Sequence, residues 1–191
     1  GGQADAGAVT AAHAAGAAGI QGGRAFALCR ESGIDPVLRR RLIERALTGD
    51  LDVRNDPRAS PTGFPFKMAG LPGTLASDDV YTARTRRCDL GYLRVPYRRP
   101  NGAVGYRCPA EPVDAYVRKG GTADETAGHR CLCNGLTATI GLAQHLDGGA
   151  AEPPLITLGQ DLGFLPDLVA RAGAVFTAGD VITHLTRPRQ P

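Results

Sequence analysis

Apolar residues return every three or four positions in several stretches of this chain, each bracketed by residues that start or stop helices. Asp5 is placed to cap a helix running through Val9, Ala12 and His13 to Gly16. A helical stretch passes through Phe26, Ala27 and Leu28. A longer one starts at Pro36, continues through Leu38, Leu42, Ile43, Ala46 and Leu47, and stops at Gly49. Near the end of the chain, one helix is expected from Pro166 to Ala172, halted by Gly173. A second, capped by Asp180, runs towards Arg187-Pro188. Two short apolar runs lack that period and read as strands. Ala17–Gln21, closed by Gly22-Gly23, suits a buried parallel strand, and Leu155–Leu158 a short strand behind the Glu152-Pro153-Pro154 linker. The Asn101-Gly102 pair separates Tyr97 from Val104 and Tyr106 and predicts a hairpin.

Composition divides the chain into three regions: 1–50, rich in Ala and Gly; 51–150, irregular, with many Pro, Gly and Arg residues; and 151–191, a helical segment. With 191 residues and 42% hydrophobic content, a sizeable core is available. Aromatic residues make up 5% and Trp is absent, which argues against base stacking and hence against a nucleic-acid partner. The net charge of +3 is small, and Arg39-Arg40-Arg41 reads as a solvated helix face. No apolar run is long enough to span a bilayer and no secretory signal is visible, so no membrane association and a cytoplasmic setting are expected. The start at Gly-Gly, without Met, reads as processing or a fragment.

The chemistry most open to argument lies in the first fifty residues. Gly1-Gly2, a helix, a strand ending in Gly22-Gly23 and a second helix form a half-barrel pattern. In barrels of alternating strands and helices, the loops after the last two strands often hold phosphate. Glycine lets backbone N–H groups approach phosphate oxygens with no Cβ in the way, and the following helix adds its positive end. Arg24 can supply a charge-assisted bond. Read as spacing alone, the glycine pairs serve equally as turns, and Arg24 as a surface residue.

The stretch Gly1-Gly2, Ala14-Ala15-Gly16-Ala17-Ala18-Gly19-Ile20-Gln21-Gly22-Gly23, Ala25-Phe26-Ala27 and Glu31-Ser32 resembles the end of the nitronate monooxygenase (2-nitropropane dioxygenase-like) family. Segments Ser60–Lys67, Cys88–Tyr92, Cys108–Pro112, Arg118–Gly121 and Cys131–Asn134 resemble a larger bacterial variant of it. The resemblance implies an α/β chain: the C-terminal portion of a TIM (β/α)8 barrel, then an irregular Cys-containing extension and terminal helices. It implies that Gly1, Gly2, Gln21, Gly22 and Gly23 line the phosphate and flavin edge of FMN. Arg24 stands where the family usually has Thr, so a guanidinium would replace a hydroxyl there. It further implies a nitronate or related small molecule as substrate, and a missing N-terminal barrel portion as the structural partner. That portion would carry the histidine base. No catalytic residue is assigned on this chain: His13, His145 and His184 show no carboxylate orienter, and Asp78-Asp79 reads as a turn or cap.

Cys88, Cys108, Cys131 and Cys133 are candidate ligands for a tetrahedral zinc ion, with His129 as a substitute. One Cys-x-Cys and no Cys-x-x-Cys leave free thiols, disulfides and an iron–sulfur cluster equally open. Cys29 reads as a small core residue. Two further functions remain: an FMN-dependent enoyl-acyl-carrier-protein reductase fragment, and a zinc-stabilised binding module without chemistry. With its strand at 17–21 unpaired on one side, the isolated chain is expected to be marginally stable.

Overall fold

A computed structural model describes residues 4–145 and 149–187. In chain order it contains α1 (Ala6–Ala14), α2 (Gly23–Ala27), α3 (Pro36–Leu47), β1 (Val53–Asp56), β2 (Phe66–Ala69), α4 (Asp78–Ala83), β3 (Val95–Arg98), β4 (Val104–Arg107), α5 (Val113–Arg118), α6 (Leu132–Thr139), α7 (Leu165–Ala172) and α8 (Ala178–Thr186). This is a mixed α/β chain with two small antiparallel sheets, β1–β2 and β3–β4, and no closed barrel among the described residues. No described helix is long and apolar enough to cross a membrane.

The chain divides into two compact units, residues 1–52 with 158–191, and residues 53–157. Helices form the first. Asp5 caps α1 by accepting from the Ala8 N–H at 2.8 Å. Asp35 caps α3 by accepting from Val37 and Leu38, with Pro36 in the first turn, where its missing N–H costs nothing. Gly49 follows α3 at φ +78°, a conformation glycine adopts without strain. At α8 the cap is Thr177 rather than Asp180. The Thr177 side chain accepts from the Asp180 N–H, while the Asp180 carboxylate accepts from the Thr177 N–H, a reciprocal capping box. Packing joins α1, α2 and α7 to α8, and α3 to α7. Leu28, Leu42, Ile43, Leu165, Leu168, Phe176 and Val181 are buried in this unit.

Three expectations fail. Residues 17–21 form no strand, and none of them is buried. Ala and Gly offer little apolar surface to bury, Ile20 is the one β-branched residue, and no strand of the described chain lies beside them. Arg39 does not sit on a solvated face: it is buried, and its Nη1 donates to the Cys29 carbonyl at 3.1 Å. Leu155–Leu158 is not a strand, although Leu155 and Ile156 are fully buried. The backbone of residues 154–156 bonds instead to three separate places. Leu155 N–H donates to Gly135, the Ile156 carbonyl accepts from Ala69, and the Pro154 carbonyl accepts from Leu75.

Those bonds tie together the second unit, whose core comprises Ala59, Met68, Leu75, Ala76, Leu132 and Leu155. The hairpin forms as its turn residues predict. Val95 faces Arg107 and Arg98 faces Val104, with Gly102 at φ +81° and the Asn101 side chain accepting from the Ala103 N–H.

Candidate functional site

Gly1 and Gly2 lie outside the described residues. Gln21 is exposed, and Gly22 is the N-cap of α2 at φ −112°, so neither backbone strain nor a left-handed turn dictates glycine there. A Cβ on Gly22 would make ordinary contact with the Phe26 ring at 3.5 Å, and one on Gly23 would meet nothing within 4 Å. The main chain at Gly22-Gly23 is therefore open to close approach, and the first N–H groups of α2 have no intrahelical acceptor. Arg24 is held from the side. Its stem lies against Gly159, where an added Cβ would come within 2.1 Å of Arg24 Cδ, and its Nη2 donates to Asp161 Oδ2 at 3.2 Å. Asp161 is largely exposed while the Arg24 side chain is largely buried, so solvent screens this ion pair from the Asp161 side only. Sequence reasoning did not foresee Gly159 or Asp161 beside Arg24. The two segments lie more than 130 positions apart, and no motif links them.

The histidines are dispersed. His13 is exposed, and its Nδ1 lies 3.1 Å from the Ala17 carbonyl. His145 is exposed in an isolated bridge to Ala151. His129 is half-buried with Nδ1 3.0 Å from the Ser60 carbonyl, and burial moves its pKa downward. His184 departs from expectation. It is buried in the first unit, with Nε2 3.1 Å from the Ala4 carbonyl and Nδ1 3.5 Å from Asp167 Oδ2, so it does have an acidic neighbour. Asp167 also pairs with Arg171 in its own helix, and Arg171 and His184 border a cleft of about 330 Å³ reaching Asp180 and Thr183. Asp78 stands in the first turn of α4, whose N-cap is Ser77 without a side-chain cap bond, and its carboxylate accepts from Arg130 Nη2.

All five cysteines are free, and four of them gather in the second unit. Three separate segments deliver them: Cys88 from the loop after α4, Cys108 from the end of β4, and Cys131 and Cys133 from the start of α6, where Cys131 is the N-cap. Cys108, Cys131 and Cys133 pack together around Ala110. Burial, helped by the neighbouring sulfurs of Cys88, Cys131 and Cys133 and opposed by the Ala110 backbone N–H, pushes the Cys108 thiol up to about 12. Burial likewise pushes Cys131 up to about 11, against the pull of the Asn134 backbone N–H and the Arg84 guanidinium. Arg94 reaches Cys88, donating from Nη2 to its carbonyl at 3.4 Å. Cys29 lies in the other unit, buried, as a core residue would be.

Buried polar groups surround these thiols. Glu152, next to Cys131 in electrostatic terms, accepts from Arg84 Nε at 2.5 Å, and both side chains are almost fully buried. Glu111 donates its N–H to the Cys108 carbonyl and accepts from Lys119 Nζ through Oε2. Asn134 donates from Nδ2 to Asp89 at 2.9 Å. One oxygen of each (Glu111 Oε1, Asn134 Oδ1 and Glu152 Oε2) is buried with no hydrogen-bond partner among the described residues. No three or more His, Cys, Asp or Glu side chains among the described residues already stand as a metal-ligating group, so the thiols are collected but not converged on a point. Compared with known proteins, the chain matches no family model, and neither the curated proteins nor the solved structures contain a match.

Proposed function

We propose that this chain is the C-terminal part of an FMN-dependent, nitronate monooxygenase-like oxidoreductase and supplies the flavin phosphate site. The observation that carries the reading is the unobstructed main chain at Gly22-Gly23, with Arg24 beside it paired to a largely exposed Asp161. The residues present fit a phosphate. Backbone N–H groups at the start of α2 have no intrahelical acceptor, no side chain is required at either glycine, and Arg24 offers a charged donor beside them. Gln21, exposed just before the glycines, is positioned by sequence to meet the edge of the flavin. FMN, when bound, takes up the electrons of a carbanion-like nitronate. The chain's own contribution is to hold and orient the phosphate end; the base that would form the carbanion is assigned to none of its four histidines.

The test uses the full chain purified without added cofactor, examined by visible absorption and by fluorescence titration with FMN. Binding of FMN that survives Gly23→Ala but is lost in Gly23→Val supports the reading, provided circular dichroism shows both variants folded. Both should fold, because a Cβ at Gly23 meets nothing in the structure. Failure of the wild-type chain to take up FMN, alone or with the rest of a barrel supplied, would sink it.

A further inference from the structure

The second unit poses its own chemical problem, independent of any flavin. Four thiols from three segments are gathered in a region whose regular structure is limited to four short strands, three short α-helices and one 3-10 turn among the described residues. Between those segments lie stretches of about twenty residues, so proximity by chance neighbours in sequence is excluded for all but Cys131 and Cys133. Cys108 and Cys131 are nearly inaccessible, with Cys133 packed against them. A guanidinium stands beside the cluster, Arg94 Nη2 donating to the Cys88 carbonyl at 3.4 Å. Next to it stand the unpartnered acceptor oxygens of Asn134, Glu111 and Glu152, each residue 3% exposed or less. A buried acceptor without a donor is costly unless a cation or an ordered water takes it up.

We infer that Cys88, Cys108, Cys131 and Cys133 bind one zinc ion, which cross-links the loop after α4, the end of the hairpin and the start of α6. Zinc suits the donor set because it is borderline-soft, prefers four tetrahedral thiolates and tolerates irregular loops. Each ligating thiol gives up its proton to solvent on binding, and the dication offsets the repulsion that four adjacent thiolates would otherwise suffer. The role is structural: four protein ligands leave no open position for substrate.

The full chain, purified under reducing conditions from medium containing both zinc and iron, is analysed for metal. About one zinc per chain is expected, retained in Cys29→Ser and lost in the Cys131→Ser/Cys133→Ser double variant. To separate loss of metal from loss of fold, the wild-type chain is also stripped with chelator and loaded with cobalt. The visible bands of tetrahedral cobalt with thiolate charge transfer are expected, bleached by one equivalent of zinc. A chain that holds no metal, shows no cobalt bands and exposes its thiols freely to a disulfide reagent would overturn the inference. So would iron and acid-labile sulfide in place of zinc, since the same thiolates would then carry a cluster.

Discussion

Replacing Gly135 with alanine sets two opposing effects against each other inside α6. Glycine in a helix interior is about 1 kcal/mol less favourable than alanine, so propensity alone predicts a more stable chain. Packing predicts the reverse. A Cβ at this position would lie 2.7 Å from Leu155 Cβ, 3.1 Å from Leu75 Cδ1 and 3.3 Å from the Leu155 backbone nitrogen. Cβ of Leu155 cannot rotate away, so the backbone of residues 154–156 has to move. Two bonds resist that movement: Leu155 N–H to the Gly135 carbonyl at 2.9 Å, and Thr139 Oγ1 to the Leu155 carbonyl at 2.8 Å. Overpacking of a tight core costs about 1–3 kcal/mol, and stretching each of those bonds forfeits part of about 1 kcal/mol. Set against the propensity gain, a net loss of about 2 kcal/mol is expected, or about 4–8 °C in Tm for a chain of this size. Urea unfolding of wild type, Gly135→Ala and Gly23→Ala measures it, the last serving as a glycine whose added Cβ meets open space. A Gly135→Ala chain as stable as wild type, or more so, would refute the close approach of α6 to residues 154–156.

Arg84→Met leaves Glu152 as a lone buried carboxylate, and a loss of about 3–5 kcal/mol is expected at neutral pH. Burial already holds the Glu152 carboxyl above its usual range, against the lowering influence of Arg84. A raised acid favours the folded state at pH below the ordinary carboxylate range, and that contribution disappears as pH rises through the folded value. Without Arg84 the rise is larger, so denaturant unfolding should show the variant losing more stability than wild type between mildly acidic and neutral pH; parallel pH profiles would contradict this. In the first unit, Gly159→Ala places a Cβ 2.1 Å from Arg24 Cδ and 2.5 Å from its Cγ, so the Arg24 side chain has to leave its position beside Asp161. If Arg24 holds phosphate, Arg24→Ala should weaken FMN binding about 10–100-fold, the worth of a charge-assisted bond, and Gly159→Ala should weaken it in the same direction. Unchanged FMN titrations for both variants would remove Arg24 from the site.

What could be read from sequence was local, and what could not was long-range. Asp5, Pro36 and Gly49 carry their helix boundaries in their own chemistry, because a cap or a first-turn proline needs only neighbours a few residues away. The hairpin at Asn101-Gly102 is local in the same sense. Ala17–Gln21 misled because apolar character was taken for burial. A strand needs a partner and enough side-chain area to hold it, and this run has neither among the described residues. Leu155–Ile156 had the burial but not the strand, since its backbone partners Gly135, Ala69 and Leu75 belong to unconnected segments. The ion pair of Arg84 with Glu152 spans 68 positions, and no pattern in the chain joins them.

The cysteines lie between these extremes. Their residue type announced a chemistry, but their spacing did not, because the loop after α4, the end of β4 and the start of α6 meet only through tertiary packing. Gly135 makes the connection physical. It stands two residues beyond Cys133 on the same helix, and its missing side chain lets α6 press against the buried 154–156 segment, which follows directly on Glu152. That close approach fixes the start of α6, and with it Cys131 and Cys133, relative to the core around Leu75 and Leu155. Gly135→Ala should therefore disturb more than stability. If α6 is displaced by the added Cβ, the thiols of Cys131 and Cys133 move with it, and zinc should be retained less tightly against a competing chelator than in wild type. A chain destabilised by the substitution yet unchanged in zinc retention would show that the sulfur cluster is positioned by its own loops and not by the packing of the helix.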